Sequence, residues 1–307
     1  MMNELVSVIV PTYSRPDNLC RAIDSLLYQT YTPIEIIVVD DNGEGTPAQK
    51  ETEKLLENYI RSKFIRYIKH SYNRNGAAAR NTGVKAANGK YISLMDDDDT
   101  FAPNKIELQV KALCEALKRD KKYQGCYCSL DLITKNGKRT SIIQEKEGNL
   151  SAELLLGTVR FNSSTILITR EAYEKINGFD ERFVRNQDWE FCIRFFSRFK
   201  FALASPSTIL VEKYQYGGNA IFKDVKKQIE LKQFFLKEMK QYIDVLPQRN
   251  EIYHVQWTQL VIGLAGVGSW SHVIKFSIKA CSYKWFSFKD VCDIFKSAGR
   301  YIKYSIS

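Results

Sequence analysis

Four consecutive aspartates, Asp96 to Asp99, directly follow the apolar run Tyr91–Met95 and directly precede Thr100. Like charges packed so closely raise the free energy of a folded chain unless a cation or a set of hydrogen-bond donors compensates them. Carboxylates placed after a buried strand offer the hard oxygen ligands that Mg2+ and Mn2+ prefer, and these ions take phosphate oxygens as further ligands. The cluster therefore predicts a Mn2+ or Mg2+ site that holds a phosphate compound.

The acidic cluster lies within a regular alternation of strand-like and helix-like segments. Short β-branched runs alternate with helical segments, a pattern typical of a parallel, doubly wound α/β sheet. The predicted strands are Leu5–Val10, Ile34–Val39, Phe64–Ile68 and Tyr91–Met95. The predicted helices are Pro16–Gln29, Thr46–Tyr59, Ala77–Ala87 and Pro103–Lys118.

Polar residues follow three of these strands. Thr12 comes after the first strand, Asp40 and Asp41 after the second, and Asp96–Asp99 after the fourth. In open α/β sheets, ligands bind outside the carboxyl ends of the strands. Because parallel strands place these ends along one edge, we expect the three groups to line one site.

Beyond about residue 120 the pattern becomes mixed. Further strands are predicted at Gly125–Thr134, Arg139–Ile143, Asn162–Thr169 and Phe201–Val211, with the first two forming a hairpin, and a helix at Asn186–Arg198. The Gly-containing segment Tyr214–Gly218 is predicted to be a lid loop. From Phe222 onward the sequence is helical and basic.

The composition is that of a globular protein with an uneven charge distribution. A chain of 307 residues, 44% hydrophobic, can bury one large core with a smaller appendage. The net charge is +10, and residues 221–307 carry 14 Lys and Arg against 7 Asp and Glu. We therefore predict a first domain at residues 1–220 and a basic, aromatic-rich helical region at residues 221–307.

The cysteine pattern and the apolar segments indicate the compartment. The seven cysteines include no C-x-x-C pair, which is typical of reduced thiols rather than a zinc site. The apolar stretch Leu5–Val10 is too short for a signal peptide, and Val255–Gly268 is too short to span a bilayer. We expect a cytoplasmic protein, with or without peripheral attachment to the inner face of the cell membrane.

Five motifs in order resemble the family 2 glycosyltransferases of the GT-A fold. They are Val8–Tyr13, Ile37–Asn42, Asn75–Gly83, Gly89–Asp99, and Gly178–Asp180 followed by Gln187–Glu190. The likeness covers about residues 4–215. It implies a Rossmann-like, mostly parallel central sheet with helices on both faces, here with a C-terminal helical extension. It also implies an inverting, metal-dependent hexosyltransferase that uses a nucleotide-sugar, with UDP-sugar as the expected donor, in bacterial surface polysaccharide biosynthesis.

The resemblance assigns roles to the motif residues. The D-x-D element maps to Asp96 and Asp98, with Asp98 as the metal ligand and Asp96 or Asp97 on the ribose side. Asp99 is also a candidate metal ligand, because four aspartates allow more than one register. Asp40 would accept a hydrogen bond from the base, whereas Asp41 is expected only to cap the following helix. The other residues assigned to nucleotide-sugar binding are Pro11, Thr12, Tyr13, Arg15 and Arg80.

The acceptor hydroxyl requires a base on the face opposite the leaving group. The resemblance places this base at Asp188, with Glu190 as the competing candidate. Two residues along a helix rotate a side chain by about 200°, so both carboxylates cannot face the substrate. The expected acceptor is a saccharide or a lipid-linked saccharide. Because lysines alternate with aromatic residues in 221–307, we also expect contact with an anionic membrane surface there.

Other classes of protein fit the sequence less well. Asp96-x-Asp98-x-Thr100 also matches haloacid-dehalogenase-type phosphatases, but those enzymes usually place the motif on the first strand. A phosphatase would also leave Thr12, Asp40 and Asp188 unexplained. An EF-hand would require Gly where Phe101 stands. A non-catalytic nucleic-acid binder would explain the basic C-terminal region, but no recognisable binding motif supports it, so no nucleic-acid partner is expected.

Overall fold

The structure is a computed structural model that describes residues 4–215 and 224–306. These residues form two compact units. The sheet unit comprises the described residues up to Leu150 together with those from Arg160 to Gln215, and the helical unit comprises Ser151–Val159 and the residues from Asp224 onward. The predicted boundary after residue 220 falls outside the described residues and stays a prediction.

The sheet unit contains all the strands of the described chain. They are β1 (Val6–Thr12), β2 (Ile34–Asp40), β3 (Arg66–Lys69), β4 (Tyr91–Leu94), β5 (Asp99–Phe101), β6 (Tyr123–Tyr127), β7 (Ser129–Thr134), β8 (Arg139–Ile142), β9 (Leu167–Thr169), β10 (Lys200–Leu203) and β11 (Ile209–Gln215). A 3-10 turn at Ser163–Thr165 precedes β9.

Helices surround these strands and make up the helical unit. Those of the sheet unit are α1 (Pro16–Leu27), α2 (Pro47–Arg61), α3 (Gly76–Ala86), α4 (Lys105–Arg119), α6 (Arg170–Lys175) and α7 (Gln187–Phe196). Those of the helical unit are α5 (Ser151–Leu156), α8 (Val225–Ile243), α9 (Arg249–Ala265), α10 (Trp270–Cys281) and α11 (Phe288–Ile306).

The large sheet has the strand order β10-β6-β9-β4-β1-β2-β3. All its pairs are parallel except those of β9, which runs antiparallel to β4 and β6. The predicted α/β class with a mostly parallel central sheet is therefore confirmed. The first four predicted strands and helices are all present, because each strand is an apolar run that this sheet buries and each helix carries an apolar stripe.

A second sheet, with the order β5-β11-β7-β8, was not predicted. It divides two segments that the sequence presents as single strands. Gly125–Thr134 forms β6 in the large sheet and β7 in the small one, and Phe201–Val211 is divided between β10 and β11 in the same way. The predicted hairpin is present as the antiparallel pair β7 and β8. In Asn162–Thr169 the 3-10 turn replaces the first part of the predicted strand.

The C-terminal region is helical, as predicted, over its described part. In the helical unit, α9 packs against α10 and α11, and Trp257 of α9 stacks on Phe276 of α10 with ring centroids 5.5 Å apart. Among the described residues, no helix combines the length and the apolar character needed to cross a membrane. The predicted lid loop begins at Tyr214, the penultimate residue of β11, and continues outside the described residues.

Candidate active site

The acidic cluster lies at the carboxyl end of β4, and its last member, Asp99, begins β5. The ligand oxygens of Asp96, Asp98 and Asp99 all lie within 4.8 Å of one another. Asp97 points elsewhere, since its carboxylate accepts a hydrogen bond of 2.8 Å from the Thr12 hydroxyl. The loop thus presents three convergent carboxylates, with the fourth tied to the end of β1.

Three basic side chains compensate this charge. Arg15 pairs with Asp97 at 2.8 Å and also with Asp98. The Arg80 guanidinium lies 2.7 Å from Asp96. Lys213 of β11 extends its ammonium to within 3.2 Å of Asp96 and 3.5 Å of Asp99. Arg80 is 8% exposed and therefore belongs to the site rather than to the surface.

A hydroxyl from the 3-10 turn fixes both ends of the acidic loop. The Ser164 Oγ donates to the Asp99 carboxylate at 2.5 Å and accepts a hydrogen bond from the Asp96 backbone N–H at 2.9 Å. Asn162 also donates to Asp99, at 3.2 Å. This turn was predicted as strand, so its contact with the acidic loop was not expected.

The aspartates differ in pKa because their surroundings differ. Burial works to raise the pKa of Asp96, but the charges of Lys213 and Arg80 outweigh it and lower that pKa. Burial raises the pKa of Asp97 to about 6 and that of Asp99 to about 7, against the attraction of Arg15 and Lys213 respectively. Part of the cluster therefore carries protons near neutral pH, which a bound cation would displace.

The donor set fits a divalent cation. It consists of carboxylate oxygens alone, as Mn2+ and Mg2+ prefer. In addition, the Oδ1 of Asp99 is buried without a hydrogen-bond partner, although Asp99 is fully buried. A buried carboxylate oxygen without a donor is costly unless a ligand satisfies it. The residues present therefore fit the expected divalent metal.

A cavity of about 180 Å3 opens beside the acidic loop. It is lined by Pro11, Thr12, Tyr13, Arg15, Asp41, Gly76, Ala79, Arg80, Asp96 and Asp97. The structure thus brings together all the residues predicted to bind nucleotide-sugar except Asp40. Their functional roles remain predictions, but their convergence on one edge of the sheet is a property of the fold.

The positions of Asp40 and Asp41 differ from the expectation. Asp40 is fully buried, and its carboxylate bonds to the Tyr67 hydroxyl and to the Asn42 backbone N–H. Asp41 lines the cavity instead. Asp41 is not the cap of α2 either, since that position is taken by Thr46, whose side chain accepts from the Gln49 N–H. Asp40 therefore lies behind the cavity wall. Asp41 lines the cavity, at the position where Asp40 was expected.

Neighbouring residues hold the Asp41 carboxylate in a fixed orientation. It lies 2.7 Å from the His70 Nδ1 and accepts 2.8 Å and 3.1 Å hydrogen bonds from the Arg74 N–H and the Asn73 side-chain amide. His70 in turn contacts the Thr82 hydroxyl at 2.9 Å. Asp41 is thus a preorganised acceptor at the cavity wall.

Asp188 lies in the first turn of α7. Burial raises its pKa, and the negative charge of Asp96 raises it further, so the two carboxylates are close enough to repel each other. Glu190, the competing candidate, is 1% exposed and ion-paired with Arg194, whose guanidinium also donates to the Gly178 carbonyl at 2.7 Å. Glu190 is therefore paired in the interior of the fold, whereas Asp188 lies within reach of the charge of Asp96.

The comparisons with known proteins agree with this geometry. A family model described as Glycosyl transferase family 2 matches residues 7–204. An uncharacterised glycosyltransferase of Rickettsia bellii is 34% identical over 199 residues, which cover 62% of this chain and 27% of that protein. The chain thus spans about a quarter of that relative.

Two relatives with descriptive names cover more of the chain. The amylovoran biosynthesis glycosyltransferase AmsB of Erwinia amylovora is 30% identical over 253 residues, covering 80% of each chain. The Escherichia coli UDP-Glc:alpha-D-GlcNAc-diphosphoundecaprenol beta-1,3-glucosyltransferase WfgD is 26% identical over 232 residues, covering 74% of this chain and 85% of that protein.

A similar fold is found in a solved structure. Residues 1–349 of TarS from S. aureus match with a TM-score of 0.59 and 14% identity, covering 97% of this chain and 91% of that one. TarS has also been solved in complex with UDP and with UDP-GlcNAc. At this level of identity the likeness concerns the fold.

Proposed function

The chain belongs to glycosyl transferase family 2, and we propose on this basis that it transfers a hexose from a nucleoside diphosphate-sugar to an acceptor hydroxyl with inversion. The observation that carries the proposal is the convergence of Thr12, Arg15 and Arg80 on the carboxylates after β4. A phosphatase or a nucleic-acid binder would leave this convergence, and the family match, unexplained.

The donor is a UDP-sugar in this proposal. Asp41, held by His70 and the Arg74 N–H, offers a fixed acceptor for the uracil N3–H at the cavity wall. Thr12 and Tyr13 line the same wall, and Arg15 and Arg80 supply positive charge for the diphosphate. The UDP complexes of TarS, a protein of the same fold, support a uridine nucleotide.

The metal would be Mn2+ or Mg2+, held by Asp98 and Asp99. Such an ion stabilises the charge that develops on a diphosphate leaving group. Because the pKa of Asp99 is raised to about 7, binding of the ion would release a proton from this residue. Asp96 stays ionised through its contacts with Arg80 and Lys213, so it contributes negative charge at every physiological pH.

Asp188 would act as the general base. Its pKa is raised by burial and by Asp96, which brings it closer to the range in which a carboxylate accepts a proton effectively. It lies at the start of α7, within reach of the charge of Asp96. None of the ion pairs found among the described residues involves Asp188.

The acceptor is a saccharide or a lipid-linked saccharide of a bacterial surface polysaccharide, and transfer takes place at the inner face of the cell membrane. The naming of AmsB for amylovoran biosynthesis and of WfgD for a diphosphoundecaprenol-linked acceptor supports this part of the proposal.

A thermal-shift screen of nucleoside diphosphates and their sugars, with and without Mn2+, tests the proposal. Stabilisation grows with ligand occupancy, so a UDP compound should raise the Tm more than its GDP or ADP counterpart, and more with Mn2+ than without. Asp41→Asn should abolish the preference for uridine, with Asp40→Asn as the buried control. Absence of any nucleotide-dependent shift, or a shift indifferent to Mn2+, would contradict the proposed donor or the proposed metal.

A further inference from the structure

Helix α10 carries apolar side chains on both of its faces. Its inner face, with Val273, Phe276 and Ala280, is buried in the helical unit. On the opposite face, Trp270, Ile274 and Ile278 are 47%, 63% and 69% exposed. Side chains four residues apart lie one above the other on a helix, so these three form a continuous stripe. Large exposed apolar stripes of this kind mark contact surfaces.

Lysines accompany this stripe. Lys275 and Lys279 each directly follow an exposed isoleucine on α10, and their ammonium groups lie 5.6 Å and 5.5 Å from the ring centroids of Phe276 and Tyr283. The exposed face of α10 is thus apolar and cationic at once, the composition typical of helices that lie in the headgroup region of a bilayer.

A basic groove adjoins the stripe. It has a volume of about 1060 Å3 and is formed by α8, α9 and α10. Its cationic lining residues are Lys237, Lys240, Arg249, Lys275 and Lys279, and its aromatic ones are Tyr253, Trp257, Phe276 and Tyr283. Ile278 belongs both to the stripe and to the groove lining, so the two surfaces are continuous.

The groove has an excess of positive charge. The acid among its described lining residues is Asp244, and the carboxylate of Asp244 is already engaged by Lys240 and by the Tyr253 hydroxyl at 2.8 Å. The remaining cations therefore face the groove without a compensating carboxylate in its lining. A phosphate group is the complementary ligand, because lysine ammonium groups and arginine guanidinium groups both bind it well.

We propose that the helical unit docks on a bilayer containing anionic lipids. The side chains of Trp270, Ile274 and Ile278 enter the headgroup region, and Lys275 and Lys279 bind lipid phosphates at the mouth of the groove. Further exposed aromatic residues of the helical unit are Trp285, just before α11, and Phe288 and Phe295 within it, at 83%, 85% and 69% exposure.

Charge favours a lipid surface over a second copy of the chain. In a symmetric dimer formed through this face, the same patch meets itself, so Lys275 and Lys279 of each copy would face a patch of the same positive charge. Like charges brought together in a contact region are repelled. An anionic bilayer instead attracts these lysines, by about 1 kcal/mol for each one near the surface, while the apolar stripe finds an apolar medium.

This surface deepens the membrane part of the proposed function, because a lipid-linked acceptor would be met there. Docking itself requires neither donor nor acceptor. A test with plain lipid vesicles therefore fails or succeeds independently of sugar transfer, and nucleotide-induced stabilisation of the same samples reports separately on the sheet unit.

The test is flotation of the full chain with vesicles of phosphatidylcholine alone and of phosphatidylcholine with phosphatidylglycerol, at low and moderate salt. We expect binding to the anionic vesicles, weakened by salt because charge screening shortens the reach of the lysines. Two double variants, Ile274→Ser with Ile278→Ser and Lys275→Glu with Lys279→Glu, should each reduce the affinity by at least about tenfold.

Two matched controls lie elsewhere in the helical unit. Val245→Ser removes an apolar side chain that is 78% exposed, and Lys226→Glu reverses a highly exposed lysine of α8 that is outside the groove lining. Both should bind vesicles as the unaltered chain does, and all variants should keep its melting behaviour and nucleotide response.

Three results would overturn the proposal. The first is no flotation with anionic vesicles at low salt. The second is equal loss of binding in the controls and in the double variants. The third is a dimer in solution that the isoleucine variant converts to monomer while vesicle binding stays unchanged, since the stripe would then serve self-association.

Discussion

Arg80 joins the acidic loop to α3 through a 2.7 Å hydrogen bond from its Nη2 to the Oδ1 of Asp96. The other terminal nitrogen of the same guanidinium donates to the side-chain oxygen of Gln187 at 3.0 Å, directly before Asp188. Arg80 therefore sets the position of the proposed base relative to the carboxylates that neighbour the proposed metal. The carboxylates of Asp96 and Asp188 repel each other, and the guanidinium of Arg80 offsets this repulsion.

Arg80→Met should reduce kcat/KM for transfer by about 10- to 100-fold, since a charge-assisted hydrogen bond contributes roughly 1.5–3 kcal/mol. The pKa of Asp96 should rise in this variant because one of the two cations that lower it is gone. Arg80→Lys should recover only part of the rate, because an ammonium cannot form both bonds of the planar fork.

The control for Arg80 is Arg74→Met. Arg74 is also an arginine of the same region, but its side chain forms an exposed ion pair with Glu181. Its loss should leave kcat/KM nearly unchanged, as exposed pairs contribute little. Steady-state kinetics of the three variants provide the measurement, and an Arg80→Met enzyme with the rate of the unaltered chain would contradict the bridging role.

Asp188→Asn should lower kcat by about 10²- to 10⁴-fold, the usual contribution of a positioned general base, while donor binding is largely kept. Glu190→Gln is the matched comparison on the same helix. Glu190 pairs with Arg194 in the interior, so its replacement should lower the Tm and the free energy of unfolding, and affect the rate much less.

Calorimetric donor titration and thermal unfolding separate the two effects. If Asp188→Asn turned over at the normal rate, the base would have to be sought elsewhere. The reverse pattern, with Glu190→Gln inactive but fully stable, would reassign the base to Glu190.

The sequence predicted the large sheet because its strands are local apolar runs, and it predicted the acidic loop because four aspartates stand together. The small sheet escaped prediction for a physical reason. Strand β5 has three residues and pairs with β11, which lies more than a hundred positions later, so no local pattern reveals it. Lys213 lies beside the acidic loop because it is paired with Asp99 across these two strands.

Which of Asp40 and Asp41 lines the cavity could not be predicted from the sequence, for a different reason. Consecutive side chains of an extended chain point to opposite sides, so one of two adjacent aspartates at a strand end must face away from the cavity. Which one does so depends on the partners available on each side. The Tyr67 hydroxyl donates a hydrogen bond to Asp40, and the His70 Nδ1 contacts the Asp41 carboxylate. Tyr67 belongs to β3, and His70 is the residue after it.

Asp99 gives the protein a predictable pH dependence. Burial raises its pKa to about 7, although Lys213 opposes this, whereas an unfolded chain titrates Asp at about 4. The folded state therefore holds a proton that the unfolded state has lost between about pH 4 and 7. The stability this proton contributes is complete below about pH 4 and is lost as the pH rises through about 7.

Asp99→Asn removes this titration, so the Tm of the variant should fall less than that of the unaltered chain between about pH 4 and 8 in metal-free buffer. Asp120→Asn is the control, because Asp120 forms a surface pair with Lys200 that lowers its pKa, and its titration lies below this range. Parallel Tm profiles for the Asp99 variant and the unaltered chain would contradict the protonated state of Asp99.

Lys213 would compete with the proposed divalent cation for the same carboxylates. The Lys213 ammonium lies 3.2 Å from Asp96 and 3.5 Å from Asp99, two of the three residues whose oxygens converge. Lys213→Met keeps the apolar stem and removes the charge, so the Kd for Mn2+ should fall by about tenfold or more, because two like charges at such a distance repel by several kcal/mol.

The measurement is calorimetric titration of Mn2+ alone at about pH 8, where protons compete less for Asp99, whose pKa is raised to about 7. The metal-free Lys213→Met protein should also melt at a lower temperature, because the buried carboxylates lose a counter-charge. Lys213→Arg should retain the weaker Mn2+ affinity, and Lys69→Met, which removes an exposed partner of Glu53, should alter neither quantity. An unchanged Mn2+ affinity in Lys213→Met would mean that the ion binds outside the group formed by Asp96, Asp98 and Asp99, since a charge so close to these oxygens cannot be removed without effect on a cation among them.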